Sequence, residues 1–128
     1  MEYHNMMKVR ETMDARYERQ MKKGVLEMLV LHTVCQGQTY GYEICTRLDK
    51  QSGGLFAMKE GTLYPILYRL QDEGLIESRW SVPDGRGTAK KYYEATEMGR
   101  ATCAELIALW KSFGDNVDRI IFGGSNND

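Results

Sequence analysis

No stretch of this sequence comes near the roughly 18 to 20 consecutive apolar residues that a membrane-spanning helix requires, so no membrane partner is expected. The first twenty residues interleave Lys8, Arg10, Glu11 and Arg16 with Met6, Val9 and Met13. They hold no uninterrupted apolar run, which speaks against a secretory signal. Cysteine is scarce: Cys35, Cys45 and Cys103 are odd in number and widely spaced, and do not make a disulfide framework. A reducing cytoplasm is the expected location. An excess of one charge sign is missing too. The 17 Lys and Arg face 18 Asp and Glu, for a formal net charge of −1, so any surface for nucleic acid has to be a local one. Histidine is limited to His4 and His32, both outside any motif. With no Ser/His/Asp set, Gly-rich phosphate loop or usefully spaced carboxylate pair, neither an enzyme nor a cofactor is expected. His32 and Cys35 lie three apart on an apolar helix, which falls short of a metal site. A core histidine with satisfied polar atoms is the expectation there.

What is present suits a single small domain with one extra helix, since 42% of the 128 residues are apolar and 27% charged. There is no internal repeat, low-complexity tract or linker. Glycine-containing breaks divide the chain. From about Asn5 to Gln20, Met6, Val9, Met13 and Tyr17 form a narrow apolar stripe on a helix that needs a partner surface, and Met21 to Gly24 break it. Val25 to Gln36 are apolar almost all round and read as a buried helix stopped by Gly37. Thr39 is the expected N-cap of the next helix. Its inward face carries Gly41, Ile44, Cys45 and Leu48, with Gly41 permitting a close helix approach.

A further helix spans about Gly61 to Glu73. Leu63, Ile66, Leu67 and Leu70 face inward, and Gly61, Pro65 and Tyr68 lie opposite. Thr62 as its N-cap places Pro65 at the third helical position, where a missing N–H costs little. Two alternating runs around Pro83-Asp84-Gly85-Arg86-Gly87 read as a hairpin. Thr96 then caps a last helix reaching about Phe122. Helices followed by a hairpin give the order of a winged helix-turn-helix. The expected fold is mainly α (α+β), with a two-stranded wing, an N-terminal extension helix and a long C-terminal dimerisation helix. Residues 1–22 form the extension, 23–96 the DNA-binding domain, 97–123 the dimerisation helix and 124–128 a disordered tail.

Gly61-Thr62-Leu63-Tyr64-Pro65-Ile66-Leu67-Tyr68-Arg69-Leu70, with Glu73-Gly74-Leu75-Ile76 after it, resembles the signature of the PadR family of transcriptional regulators. Tyr40-Gly41-Tyr42-Glu43-Ile44 resembles the start of that family's second helix. Gly87, Lys90-Lys91-Tyr92-Tyr93 and Thr96-Glu97-Met98-Gly99 are similar to its wing and the start of its last helix. The likeness runs from about Gly24 to Phe122, with Ala95 standing where a leucine is usual. It implies a winged-helix homodimer that represses transcription and responds to a small molecule or another signal.

A recognition helix meets double-stranded DNA with its N-terminal residues nearest the bases. The candidate contacts are therefore Lys59, Gly61, Thr62, Tyr64, Pro65 and Arg69, joined by Tyr40 and by Arg86, Lys90 and Lys91 of the wing. Tyr68 either faces DNA or packs inward. Strand alternation puts Lys91 with Tyr93 on one face and Lys90 with Tyr92 on the other, so at most one of those tyrosines is in the core. Cys103, Leu106, Trp110, Phe113, Val117 and Ile120 alternate steps of three and four, as a dimer seam does. Cys103 is either a cross-linking thiol or a small buried hydrophobe, the second being preferred. Trp110 either packs or stacks on a flat aromatic effector, with Met13 and its neighbours lining the pocket. The rival to an effector-responsive repressor is a winged-helix protein-interaction module that no longer binds DNA.

Overall fold

The computed structural model describes residues 15–81 and 87–123. The order is α1 (Ala15–Lys22), α2 (Val25–Cys35), β1 (Thr39–Tyr40), α3 (Gly41–Gln51), α4 (Glu60–Asp72), β2 (Ile76–Trp80), β3 (Lys91–Ala95) and α5 (Glu97–Phe122). Three helices feed a small antiparallel sheet of order β1-β3-β2. This is the expected winged helix-turn-helix, with a long helix appended. Among the described residues no helix is long and apolar enough to cross a membrane.

The core lies where the inward faces converge. Val30, Leu31 and Val34 of α2 meet Ile44 and Leu48 of α3 and Leu63, Ile66, Leu67 and Leu70 of α4, with Ile76 and Tyr93 of the sheet beneath them. The apolar spacing of α3 and α4 thus faces inward as read. The long apolar helix is buried only through its second half, because residues 25–29 remain half-buried. His32 is exposed and meets Gln36 Nε2 at 2.6 Å, so it is not the expected core histidine. α2 turns that position toward solvent.

Three boundaries differ from the sequence expectation, each for a local reason. α1 runs through Met21 to Lys22, and the chain turns only at Lys23 and Gly24. Thr39 does not cap α3. It pairs with Tyr93 as part of a third strand and is buried, while its hydroxyl donates to Glu43 Oε1 at 2.6 Å. Tyr40 takes the capping position. For α4 the cap is Lys59 rather than Thr62: the Lys59 carbonyl accepts from the N–H groups of Thr62 at 2.9 Å and Leu63 at 3.1 Å. Helix therefore starts at Glu60 and Pro65 stands at the sixth helical position. The carbonyl of Gly61 loses its usual i+4 donor, and it does so on the exposed face where water reaches it.

Two glycines set how closely the elements approach. A Cβ on Gly41 would lie 2.8 Å from the Tyr64 hydroxyl, so α3 and α4 meet as closely as that glycine was expected to allow. A Cβ on Gly99 would lie 1.9 Å from the carbonyl oxygen of Leu75. The Thr96 side chain closes that second joint. It accepts from the Gly99 N–H at 2.9 Å and donates to the Gly74 carbonyl at 2.7 Å. The first turn of α5 is thereby fastened to the chain just after α4.

Candidate nucleic-acid interface

α4 presents Gly61, Pro65 and Tyr68 on its exposed face, opposite the buried leucines. Lys59, Thr62 and Arg69 are also exposed. Arg69 is held by Glu27 of α2, with its Nη2 3.2 Å from Glu27 Oε1. Tyr64 is half-buried against the core edge, its hydroxyl above Gly41. Burial, followed by the nearby Glu60 carboxylate, raises the Tyr64 pKa, so the phenol keeps its proton as a hydrogen-bond donor.

The sheet brings one wing cation, Lys91, to the side of α4 and turns the other described one, Lys90, away from it. Trp80 pairs with Lys91, and Ser78 with Tyr93, across β2 and β3. The Lys91 ammonium lies 5.9 Å from the Tyr68 ring centroid and 5.9 Å from that of Trp80. Lys90 points to the other face, 4.3 Å from the centre of the Tyr40 ring, which packs edge-on against Tyr92 at 5.5 Å. Of the two tyrosines Tyr93 is buried and Tyr92 half-buried, in keeping with the alternation. Across the strand ends, the Ser81 N–H donates to the Lys90 carbonyl at 2.7 Å. Arg86, with the rest of residues 82–86, lies outside the described residues.

The structure gathers Tyr68, Lys91 and Trp80 into one aromatic and cationic patch beside the exposed face of α4. Trp80, 63% exposed, is the residue sequence reasoning missed. Its alternation within ESRWSV gave a strand face, but only the register with Lys91 shows what that face adjoins. Arg79, on the opposite face, donates to Gln38 Oε1 at 3.1 Å.

Along α5 the expected seam divides in two. Cys103 is buried in the domain's own core and Leu106 packs against it, so these two residues serve the single chain. Burial, then the neighbouring Cys35, pushes the Cys103 thiol up to about 11, as befits a buried hydrophobe. Beyond them Trp110, Phe113, Val117 and Ile120 are exposed, together with Ile107, Leu109, Ile121 and Phe122. Near the start of this stretch an open groove of about 360 Å³ is lined by Met21 and Met28 on one side and Leu109, Trp110 and Phe113 on the other. Met13 lies outside the described residues. Among the described residues no three His, Cys, Asp or Glu side chains gather as a metal site would require.

The chain as a whole is similar to known proteins. Residues 30–105 match the family model described as the transcriptional regulator PadR-like family. A transcriptional regulator of Mycobacterium tuberculosis is 32% identical over 87 residues, covering 68% of this chain and 77% of that protein. The crystal structure of a PadR family regulator from Eggerthella lenta superposes with a TM-score of 0.73 at 26% identity, covering 98% of this chain and 99% of that one. The structure of Bacillus subtilis PadR in complex with operator DNA is similar at 29% identity and a TM-score of 0.58, over 65% of this chain and 46% of that one. With the motifs in order, the matching domain and the winged-helix architecture all in agreement, the chain belongs to the PadR-like family of transcriptional regulators, a family of regulators and not of enzymes.

Proposed function

We propose that this protein is a cytoplasmic repressor that binds an inverted-repeat operator in double-stranded DNA as a homodimer. The observation that carries this reading is the low, exposed face of α4, with the Lys91 ammonium and Trp80 beside it. Gly61 and Pro65 let the helix approach base edges closely, and Thr62 and Tyr68 offer hydroxyl donors to phosphate. Lys59 and Lys91 supply charge at the two ends of that face, and Lys90 supplies it from the outer side of the wing. The B. subtilis relative is named a negative transcriptional regulator, and its structure with operator DNA supports the same use of the fold here.

Residues 23–96 act as the DNA-binding domain and residues 97–123 as the dimerisation helix in this reading. The exposed apolar residues of α5 exceed what a monomer ordinarily leaves in water, and pairing two copies through them covers that face. Trp110 and the methionines beside it line a groove suited to a flat aromatic effector, because an indole offers a broad apolar face and thioethers adapt their shape.

The test is a gel shift of the full-length protein on the region upstream of its own gene, at two salt concentrations. A shift that weakens at higher salt is expected. The Lys90→Ala/Lys91→Ala variant should bind less tightly, with a salt slope lower by about 1 for each phosphate left without its lysine. Failure of every upstream fragment to bind would sink the DNA reading and favour a protein-interaction module.

A further inference from the structure

α1 lies outside the matched family region, which begins at residue 30. It nevertheless stands beside the start of α4, across an open groove of about 840 Å³. Arg16, Arg19, Lys22 and Lys23 contribute to this groove from α1 and the turn after it, and Lys59 and Thr62 from the start of α4. Gln20 and the apolar Leu26, Ala57 and Met58 complete the lining. Among the described residues, none of the lining side chains is a carboxylate. Glu18 is the one acid of the segment 15–23, and it bonds Lys22 at 3.3 Å. A chain with a net charge of −1 has thus concentrated cations at one edge of its exposed α4 face. Lys59 and Thr62 belong to both surfaces, so the groove continues the DNA interface instead of forming a separate site.

We propose that this groove seats the sugar-phosphate backbone of the operator strand flanking the major groove that α4 enters. α1 thereby lengthens the footprint beyond each half-site. The occupant follows from charge and continuity. Closely spaced Arg and Lys facing a helix start that carries a hydroxyl and another Lys match a run of phosphates. Such contacts position the protein and carry no base information. The inference rests on the DNA reading above and adds to it a role for the extension helix.

The test uses the full chain on a duplex that extends well past both half-sites. Arg19 and Lys23 are exposed, so Arg19→Ala/Lys23→Ala should leave folding and oligomeric state unchanged by circular dichroism and sedimentation. Its salt slope should fall by about 0.9 for each phosphate no longer neutralised, or about 3 to 4 when a dimer releases four. Hydroxyl-radical protection should disappear outside the half-sites and persist within them. The inference is overturned if slope and footprint are both unchanged while Lys90→Ala/Lys91→Ala weakens binding, an outcome that leaves the DNA reading standing. A lower slope with an unchanged footprint also overturns it, because that marks a diffuse field in place of seated phosphates. If the wild-type protein binds no fragment, the DNA reading fails and this inference with it.

Discussion

Tyr93 sits at the centre of the sheet, 1% exposed, and among the described residues its hydroxyl has no hydrogen-bond partner. Burial, then the neighbouring Tyr64 and Tyr68, pushes its pKa up to about 12. A phenol is neutral when protonated, and a folded pKa above the ordinary value of about 10 means that the folded state holds the proton more tightly. The associated stability is therefore complete below about pH 10 and is lost as the pH rises through about 12. Tyr93→Phe should be neutral, or more stable by up to about 1 kcal/mol, in urea unfolding at pH 8, because it removes a buried group with no partner. The variant should also lose less stability than the wild type between pH 10 and 12. A cost of about 1 kcal/mol or more at pH 8 would show that the hydroxyl is satisfied. Strand alternation in KYYEA allowed one of its tyrosines in the core. It took pairing with Thr39 and Ser78 to select Tyr93.

At the scale of elements, the motifs scattered along the chain turn out to be halves of joints. Gly74 and Leu75 follow α4, Thr96 and Gly99 open α5, and the two pairs meet through the Thr96 hydroxyl and the bare Cα of Gly99. Gly99→Ala sets a methyl group against the Leu75 carbonyl, a backbone atom that cannot swing aside. The expected loss is about 3 kcal/mol, at the upper end of overpacking costs, read as a lowered urea midpoint. An unchanged midpoint would mean that the joint yields freely. Helix faces were legible because a period of 3.6 records which side is buried, as Leu63, Ile66, Leu67 and Leu70 show. The ends of α3 and α4 were less so. At Thr39 a partner strand distant in sequence competes with local capping, and at Lys59 the chain closes its first turn before Thr62 can.

For the whole molecule, α5 divides its labour along its length. Its first turns belong to the core through Cys103 and Leu106, and the remainder exposes Phe113, at 62%, and Ile120, at 83%. A single periodicity covered both portions in the sequence, since three-and-four spacing marks a buried stripe without saying which surface buries it. Phe113→Glu/Ile120→Glu places charges on the exposed portion and leaves the core contacts alone. Sedimentation should show a monomer that stays folded, with operator binding reduced at least 10-fold. A dimer that persists in this variant would put the interface elsewhere. Two α4 faces held by such a pair would address half-sites about 34 to 36 Å apart. The 26 residues of α5 extend over about 39 Å, and their near end is pinned at Leu75. A tilt of about 5° about that pin carries the far tip of the rod through about 3 Å. In the proposed dimer, leverage of this size would turn a slight change of angle between the paired rods into a stride along the duplex comparable to one base step.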